Sequence, residues 1–545
     1  MNEKEYCLLY EPWLRVVDFD CNIHEVSLIQ LFEDAHKYKD LCGELPTQDF
    51  AVLRLLLAIL HTVFSRYDLN GNIAPFKDID DALDRWEELW KNGKFPIKVI
   101  ADYLETQKER FWLFHPERPF FQSEHAKVGT KYKASKLYGT LSESNNKARL
   151  FTNVSGESKE TMTFSEAARW LTYLNAFDDT SAKASSEAKG KYNSGKAEKI
   201  SMSAGWLGRL GLVCVSGNNL FETLMLNLII VDNNDELYGE EKPIWEREKI
   251  PDGERIKIIM PDNLSELYTL QSRRVFLIKE NQEVKGYYLI GGDFFDKENA
   301  FIEPMTVWRN DKKKKTNIYV PQRHNSAKQF WRDFSALIPS DENIRKPGVV
   351  SWIELLEQEQ KLDNKLIYLQ IASVQYGDKD FFVTNVFSDS LQIHASLISD
   401  MNKQWRKMVL NSVEFCDTIA RKVWTLAEEI NLSEGGDYVE KDNAGSSIVA
   451  ANKAKADFYN RIDAPFRKWL CTLDPKLDDA ENKQKEWRHE CVKIAKDLGN
   501  EIISHIDMEA IFGRTKNLKE NTKHNYSAAS AMNKFLGGLY DAENK

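Results

Sequence analysis

Apolar positions along this chain change period three times, and each change predicts a different kind of element. Leu8 to Val17, with Pro12 and Trp13 inside it, reads as a short strand-like run. Ser27 then stands as an N-cap before Leu28, Ile29, Leu31 and Phe32, which carry helical spacing. Helices are predicted over 48–67 and 78–92. Phe111 to Phe114 runs into His115-Pro116-Glu117-Arg118-Pro119, an extended, proline-punctuated element.

From about 124 to 200 the pattern is lost. Lys, Ser, Gly and Asn dominate 127–147 and 180–200, which read as two long loops around a helix at 164–177. Between 211 and 390 strands are predicted: Leu224 to Val231, Arg274 to Ile278, Gly286 to Ile290, Ile367 to Val374 and Phe381 to Phe387. The last two are joined by Gln375-Tyr376-Gly377-Asp378-Lys379-Asp380, where Gly, Asp and Lys predict a β-hairpin turn.

The final stretch steps by three and four through Val409, Val413, Cys416, Ala420, Val423, Leu426 and Ile430, the buried stripe of an amphipathic helix. Similar stripes recur at 447–471, 484–506 and 526–540, separated by connectors such as Ser433-Glu434-Gly435-Gly436-Asp437. The expected fold class is α+β: a large mixed α/β domain over 1–389, then a C-terminal four-helix bundle over 390–545.

Length agrees with more than one domain, since 545 residues at roughly 150 per domain give two to four. Charge narrows the choice of partners. The net charge is −10, so no global positive field draws the chain to nucleic acid or lipid, and any such binding must use local basic clusters. The first residues, Met1-Asn2-Glu3-Lys4-Glu5, lack the basic and apolar regions of a secretory signal. The richest apolar run, Ala51 to Phe64, is interrupted by Arg54 and His61 and falls short of the ~20 residues of a membrane span, so it reads as a buried helix. Seven cysteines, odd in number and without a CxxC pair, fit free buried thiols in a reducing cytoplasm rather than disulfides or a zinc framework. No membrane partner, metal or cofactor is expected.

Candidate chemistry centres on Gly190-Lys191-Tyr192-Asn193-Ser194-Gly195-Lys196, which fits GxxxxGK. A phosphate loop uses such glycines to wrap backbone N–H groups around phosphates and its lysine to reach the terminal ones. Leu228 to Val231 followed by Asp232 mimics the strand-end carboxylate that positions magnesium. Position 197 is Ala, however, so the metal-binding hydroxyl is missing, and polar Ser181 to Lys189 cannot be the buried strand that launches such a loop. A P-loop-like nucleotide hydrolase is the minor alternative. The same segment carries Lys183, Lys189, Lys191, Lys196 and Lys199 against Glu187 and Glu198, and so reads either as a solvated loop or as one that contacts phosphates. Gly205, Gly208 and Gly211 recur every third residue, not at dinucleotide spacing, and are expected to serve tight packing. Lys312 to Lys315 reads as a solvated turn. There is no HExxH and no GxSxG, and His115, among aromatics and prolines, reads as structural. The chain is expected not to be an enzyme.

Several stretches together resemble the CasA family, the large subunits of the type I-E CRISPR surveillance complex, Cascade. They are Leu8 to Leu14, Val26 to Phe32, Glu44-Leu45-Pro46, Leu53 to Leu60 and, most specifically, His115-Pro116-Glu117-Arg118-Pro119-Phe120-Phe121-Gln122. The resemblance implies a non-catalytic, cytoplasmic subunit that sits at the guide RNA 5′ handle. It would test double-stranded DNA for the protospacer-adjacent motif, start strand separation and help recruit the helicase-nuclease. Its partners would be guide RNA, target DNA and the backbone, handle-binding and small subunits. By the same resemblance, Phe151 and Asn153 belong to the loop that docks on the guide handle. Lys183, Lys189, Gly190, Lys191, Gly195 and Lys196 belong to the minor-groove loop. Gln375, Tyr376, Gly377, Asp378 and Lys379 form the wedge hairpin, and Lys279 or Lys285 supplies a further minor-groove lysine. The cysteines that bind zinc in some members are absent.

Overall fold

The computed structural model describes residues 4–140, 156–181, 183–184, 199–200, 203–255, 261–293, 297–311, 318–339, 345–362, 365–437, 439–440, 443–518 and 522–544. The chain forms two compact units. The first comprises Met1–Lys328, Asn343–Lys361 and Ile367–Ser390; the second comprises Gln329–Glu342, Leu362–Leu366 and Leu391–Lys545.

The first unit is mixed α/β, as the change of period predicts. Its central helix, Pro46–Phe64, starts with proline in its first turn and is buried along nearly its whole length. It is apolar and long enough to cross a membrane, yet here it packs inside the unit, against Phe164–Phe177 and Leu264–Tyr268. Arg54, which interrupts its apolar run, is buried with a partner. Its guanidinium makes a two-pronged pair with Glu303 at 2.7 and 3.0 Å, and the Trp206 indole N–H donates to the same carboxylate at 2.8 Å.

Helix Leu28–Asp34 is capped by Ser27, whose hydroxyl accepts from the Gln30 N–H. Helix Phe164–Phe177 opens with a full capping box between Thr163 and Glu166. Helix Ile79–Asn92 ends on Gly93 in the left-handed region, φ 69°.

Two sheets position the site. In one, Arg273–Glu280 pairs antiparallel with Glu283–Gly291, which also pairs with Thr130–Lys133. This sheet continues through Lys183–Ala184 to Lys199–Ile200. In the other, Leu366–Tyr376 lies between Val383–His394 and Leu212–Ser216. The hairpin expected around Gln375 to Asp380 is therefore present, but the strand expected at Leu224 to Val231 is not. Leu220–Leu226 is a helix there, with Asn219 accepting from the Glu222 N–H as its cap. A short, largely apolar run has no clear period, so it fits a buried helix turn as well as a strand. The strand expected over Leu8 to Val17 begins only at Leu14: Leu8 to Trp13 is turn and irregular backbone between strands Glu5–Cys7 and Leu14–Asp18.

His115 is structural. Its Nδ1 accepts backbone N–H bonds from Glu117 and Arg118 at 3.0 and 2.9 Å, and its Nε2 faces Glu109 at 3.0 Å. Gln122 closes the motif by donating to Leu113 O and accepting from the Leu277 N–H.

The second unit holds the four long helices Lys403–Ser433, Ser446–Cys471, Ala480–Ser504 and Ala528–Glu543. Ile419, Val423, Ile462, Phe466, Cys491, Ala495 and Phe535 are buried on their inner faces. Gly499 gives Phe535 room, since a Cβ would stand 2.5 Å from its ring. A hairpin, Arg514–Leu518 with Thr522–Tyr526, precedes the last helix. The segment Gln329–Glu342 belongs to this unit because Trp331 stacks on Phe466 at 4.2 Å and donates to Asp463 at 2.7 Å. All seven cysteines are free; Cys21 is exposed and Cys42 and Cys471 are half-buried, so the expectation of buried thiols holds only for the other four.

Candidate nucleic-acid interface

The site is organised by the C-terminal end of helix Phe164–Phe177. Past its last residue the chain runs through Asp178, Asp179, Thr180 and Ser181 to the two-residue strand Lys183–Ala184. That strand pairs with Lys199–Ile200, Lys183 opposite Ile200 and Ala184 opposite Lys199. In sequence these two paired strands, at the edge of a sheet, flank the lysine-rich segment 185–198. Lys189, Gly190, Lys191, Gly195 and Lys196 lie outside the described residues, as do Phe151, Asn153 and Lys312 to Lys315.

Lys183 does not face solvent. Its side chain is 1% exposed, and its ammonium reaches Asp178 at 2.9 Å, Asp179 at 3.1 Å and Ser181 Oγ at 2.7 Å. Arg273 completes the cluster: its Nε donates to Asp178 at 2.6 Å and a terminal N–H group to Asp179 O and Ser203 O. Lys136 meets Asp179 at 2.9 Å. Burial alone would raise both carboxyl pKa values. Lys183 outweighs it, with Arg273 at Asp178 and Lys136 at Asp179, and both groups are held below the ordinary carboxylate range. Lys183 therefore anchors the loop's base rather than serving as one of its phosphate contacts. Polar residues around it gave no sequence sign of burial.

The hairpin tip is fastened to the same base. The Thr180 N–H donates to Asp380 O at 3.1 Å, and its hydroxyl donates to Lys379 O at 2.6 Å. Lys379 and Asp380 both take left-handed backbone, φ 55° and 60°. Such geometry costs energy for residues with a Cβ and persists only when the surroundings hold it. Here Arg323 grips the Asp380 carboxylate with two bonds of 2.7 and 2.8 Å, and its Nε donates to Gly208 O at 2.7 Å. Its guanidinium also lies 5.0 Å from the centre of the Tyr376 ring.

Tyr376, expected at the wedge, is instead buried, and its hydroxyl donates to Phe177 O at 2.7 Å. A Cβ on Gly208 would stand 2.0 Å from that hydroxyl, one on Gly205 2.4 Å from Ala176 O, and one on Gly211 1.9 Å from Gln322 O. The glycine triplet thus serves close packing, and two of its members pack around the helix end and the hairpin. At its tip the hairpin presents Gln375, Asp378, Lys379 and Phe381 outward. Phe381 is 48% exposed and was not among the expected site residues. In the sequence it only opens the expected strand Phe381 to Phe387, with nothing to mark its exposure. Arg323 and Thr180 were also missed, because both act through contacts distant in sequence.

Lys279 is ion-paired with Glu5, and its ammonium lies over Phe114 at 5.4 Å. Lys285 pairs with Glu283 at 2.5 Å. Asp232 does not end a strand: it closes a turn by accepting from Asn234 and Glu236 N–H groups. The nucleotide-hydrolase alternative loses its magnesium carboxylate. No group of three His, Cys, Asp or Glu side chains suited to a metal ion occurs among the described residues.

The profile of the CRISPR-associated protein Cse1 family matches residues 8–498. This chain belongs to the Cse1 family. The membership expected from Leu8 to Leu14 and His115 to Gln122 is thereby shown. A CasA/Cse1 protein of Thermus thermophilus is 31% identical over 369 residues, 67% of this chain; the aligned part spans 64% of that relative's length. The crystal structure of Thermobifida fusca Cse1 superposes with a TM-score of 0.84 at 26% identity, covering 99% of this chain and 98% of the other. A chain of a CRISPR RNA-guided surveillance complex shares the fold, with a TM-score of 0.71 at 14% identity, covering 99% of this chain and all of its own. The α+β class is that of the Cse1 structures.

Proposed function

We propose that this Cse1-family chain is the non-catalytic large subunit of a CRISPR RNA-guided surveillance complex. It recognises the protospacer-adjacent motif in double-stranded DNA and starts strand separation. The observation that carries this reading is the pair of Thr180 hydrogen bonds that tie the hairpin tip to the base of the lysine-rich loop. One rigid connection would place a backbone-contacting loop and an opening element side by side. Lys189, Lys191 and Lys196 would neutralise phosphates while Gly190 and Gly195 let the backbone approach the minor groove. Exposed Phe381 would enter the stack as an apolar wedge, with Gln375 and Lys379 contacting the opened strands. Unstacking costs a few kcal/mol per step, which phosphate contacts and the subsequent guide heteroduplex offset. Minor-groove reading is degenerate, so several motifs would be tolerated. Buried Lys183 contributes through structure, while Lys279 or Lys285, each in a partly exposed ion pair, would supply the further minor-groove lysine.

The same reading assigns Phe151 and Asn153 to the guide handle. It makes the other Cascade subunits and the helicase-nuclease partners, and the cytoplasm the location. The test is target-duplex binding by the reconstituted complex across a salt series. Reversing Lys189, Lys191 and Lys196 to Glu should flatten the log K against log salt slope by about 0.9 for each phosphate no longer neutralised. Phe381→Ala should leave binding in place and slow duplex opening, read with a fluorescent base beside the motif. An unchanged slope together with unchanged opening would refute the proposal.

A further inference from the structure

A cavity of about 420 Å³ lies in the first unit, away from the hairpin tip but walled by both hairpin strands. Its lining includes Asp40, Asp49, Ser216, Gln370 and Asp389, with exposed Ser388 and Ser390 also among its lining residues. Three of the lining residues are carboxylates, and none is Lys, Arg or His. Asp49 accepts one backbone bond, from the Gly43 N–H at 2.7 Å, and Asp40 accepts from the Leu41 N–H and, at 3.5 Å, from Gln370. Ser216 is 4% exposed and its hydroxyl makes no hydrogen bond among the described residues, an expensive state for a buried polar group beside a cavity.

We propose that this cavity binds a small organic cation, an alkylammonium whose N–H groups bridge Asp49 and Asp40 and donate to Ser216. Negative charge unrelieved by a lining base calls for a cation. A bare metal ion fits poorly, because no three ligating side chains converge among the described residues and the space admits a chain of several carbons. The cations outside the lining act too weakly to offset burial: Arg15, near Glu44 at 3.7 Å, pulls on Asp49, and exposed Lys39 pulls on Asp40, yet both carboxyls stay raised. Burial, with Asp40 and Glu44 adding to it, pushes the Asp49 carboxyl up to about 7, and burial raises Asp40 too, as expected of carboxylates with no counter-ion in the cavity lining.

Calorimetric titration of the full chain at pH 8 tests this with putrescine and, separately, with the peptide Gly-Lys-Gly. One site is expected for either probe; putrescine identifies a free amine, and binding of the peptide alone identifies a lysine side chain of a partner. Asp49→Asn keeps the acceptor for Gly43 and should weaken binding about tenfold or more, the worth of a charge-assisted hydrogen bond. Ser216→Ala, which keeps every charge, should weaken it by a smaller factor. No binding of either probe would overturn the proposal. So would equal affinity in Asp49→Asn, or magnesium ions displacing the amine at matched ionic strength.

Discussion

Substituting Gly208 by Ala, alone and together with Tyr376→Phe, tests how the hairpin is seated. The added Cβ would stand 2.0 Å from the Tyr376 hydroxyl and 3.0 Å from the ring carbon that bears it. Something must move, and forcing a methyl into a packed site costs about 1–3 kcal/mol. Displacing the hydroxyl also strips Phe177 O of its 2.7 Å bond, worth about 1–3 kcal/mol when the group left behind is buried. A Gly→Ala change returns about 0.4–1 kcal/mol through the unfolded chain. The expected loss is therefore about 1–6 kcal/mol for Gly208→Ala and about 1–3 kcal/mol for Tyr376→Phe. In the double variant the clashing oxygen is gone and the same hydrogen bond cannot be removed twice. It should be at least about 1 kcal/mol more stable than the sum of the single changes. Urea unfolding followed by circular dichroism reads the three values. Additivity within about 0.5 kcal/mol would refute the packing of Gly208 on Tyr376.

Three further outcomes follow from the geometry. Lys183→Met should destabilise the first unit by about 3 kcal/mol, the low end for a broken buried pair, because Arg273 and Lys136 still serve the carboxylates. In the assembled complex the same variant should leave the salt slope of DNA binding unchanged; a flatter slope would return Lys183 to the phosphate contacts. Glu241 is buried, and burial raises its carboxyl from 4.5 to about 7 in the folded state. Its stabilising contribution is thus full below pH 4.5 and lost as pH rises to about 7, worth about 3 kcal/mol at 1.36 kcal/mol per pH unit. His61, 3.8 Å away and lowered by burial to about 3, runs the opposite way, so the difference between wild type and Glu241→Gln isolates the carboxyl. That difference should favour the variant increasingly from pH 5 to pH 7 and then level off; a flat difference would sink the assignment.

Much of the scaffold was legible one residue after another. Ser27, the Thr163 and Glu166 box and the stripe from Val409 to Ile430 act within a turn or two, so their period and caps are written locally. Leu224 to Val231 shows where this ends, because a short, largely apolar run broken only by Asn227 fits a buried helix or strand equally well. The family motif around His115 was also local, since its hydrogen bonds close within nine residues apart from the bond from Leu277 to Gln122.

The candidate site was decided elsewhere. Lysines in a polar stretch look alike, and only the approach of Asp178, Asp179 and Arg273 made Lys183 an internal strut. Strand alternation put neighbouring hairpin residues on opposite faces, and the fit against Gly208 and Phe177 turned Tyr376 inward, while Phe381 beyond the turn stays exposed. Periods and caps report a residue's nearest neighbours along the chain. Burial of a charge, exposure of an aromatic and the seating of a strained turn depend on partners far along the chain, and folding alone brings those together.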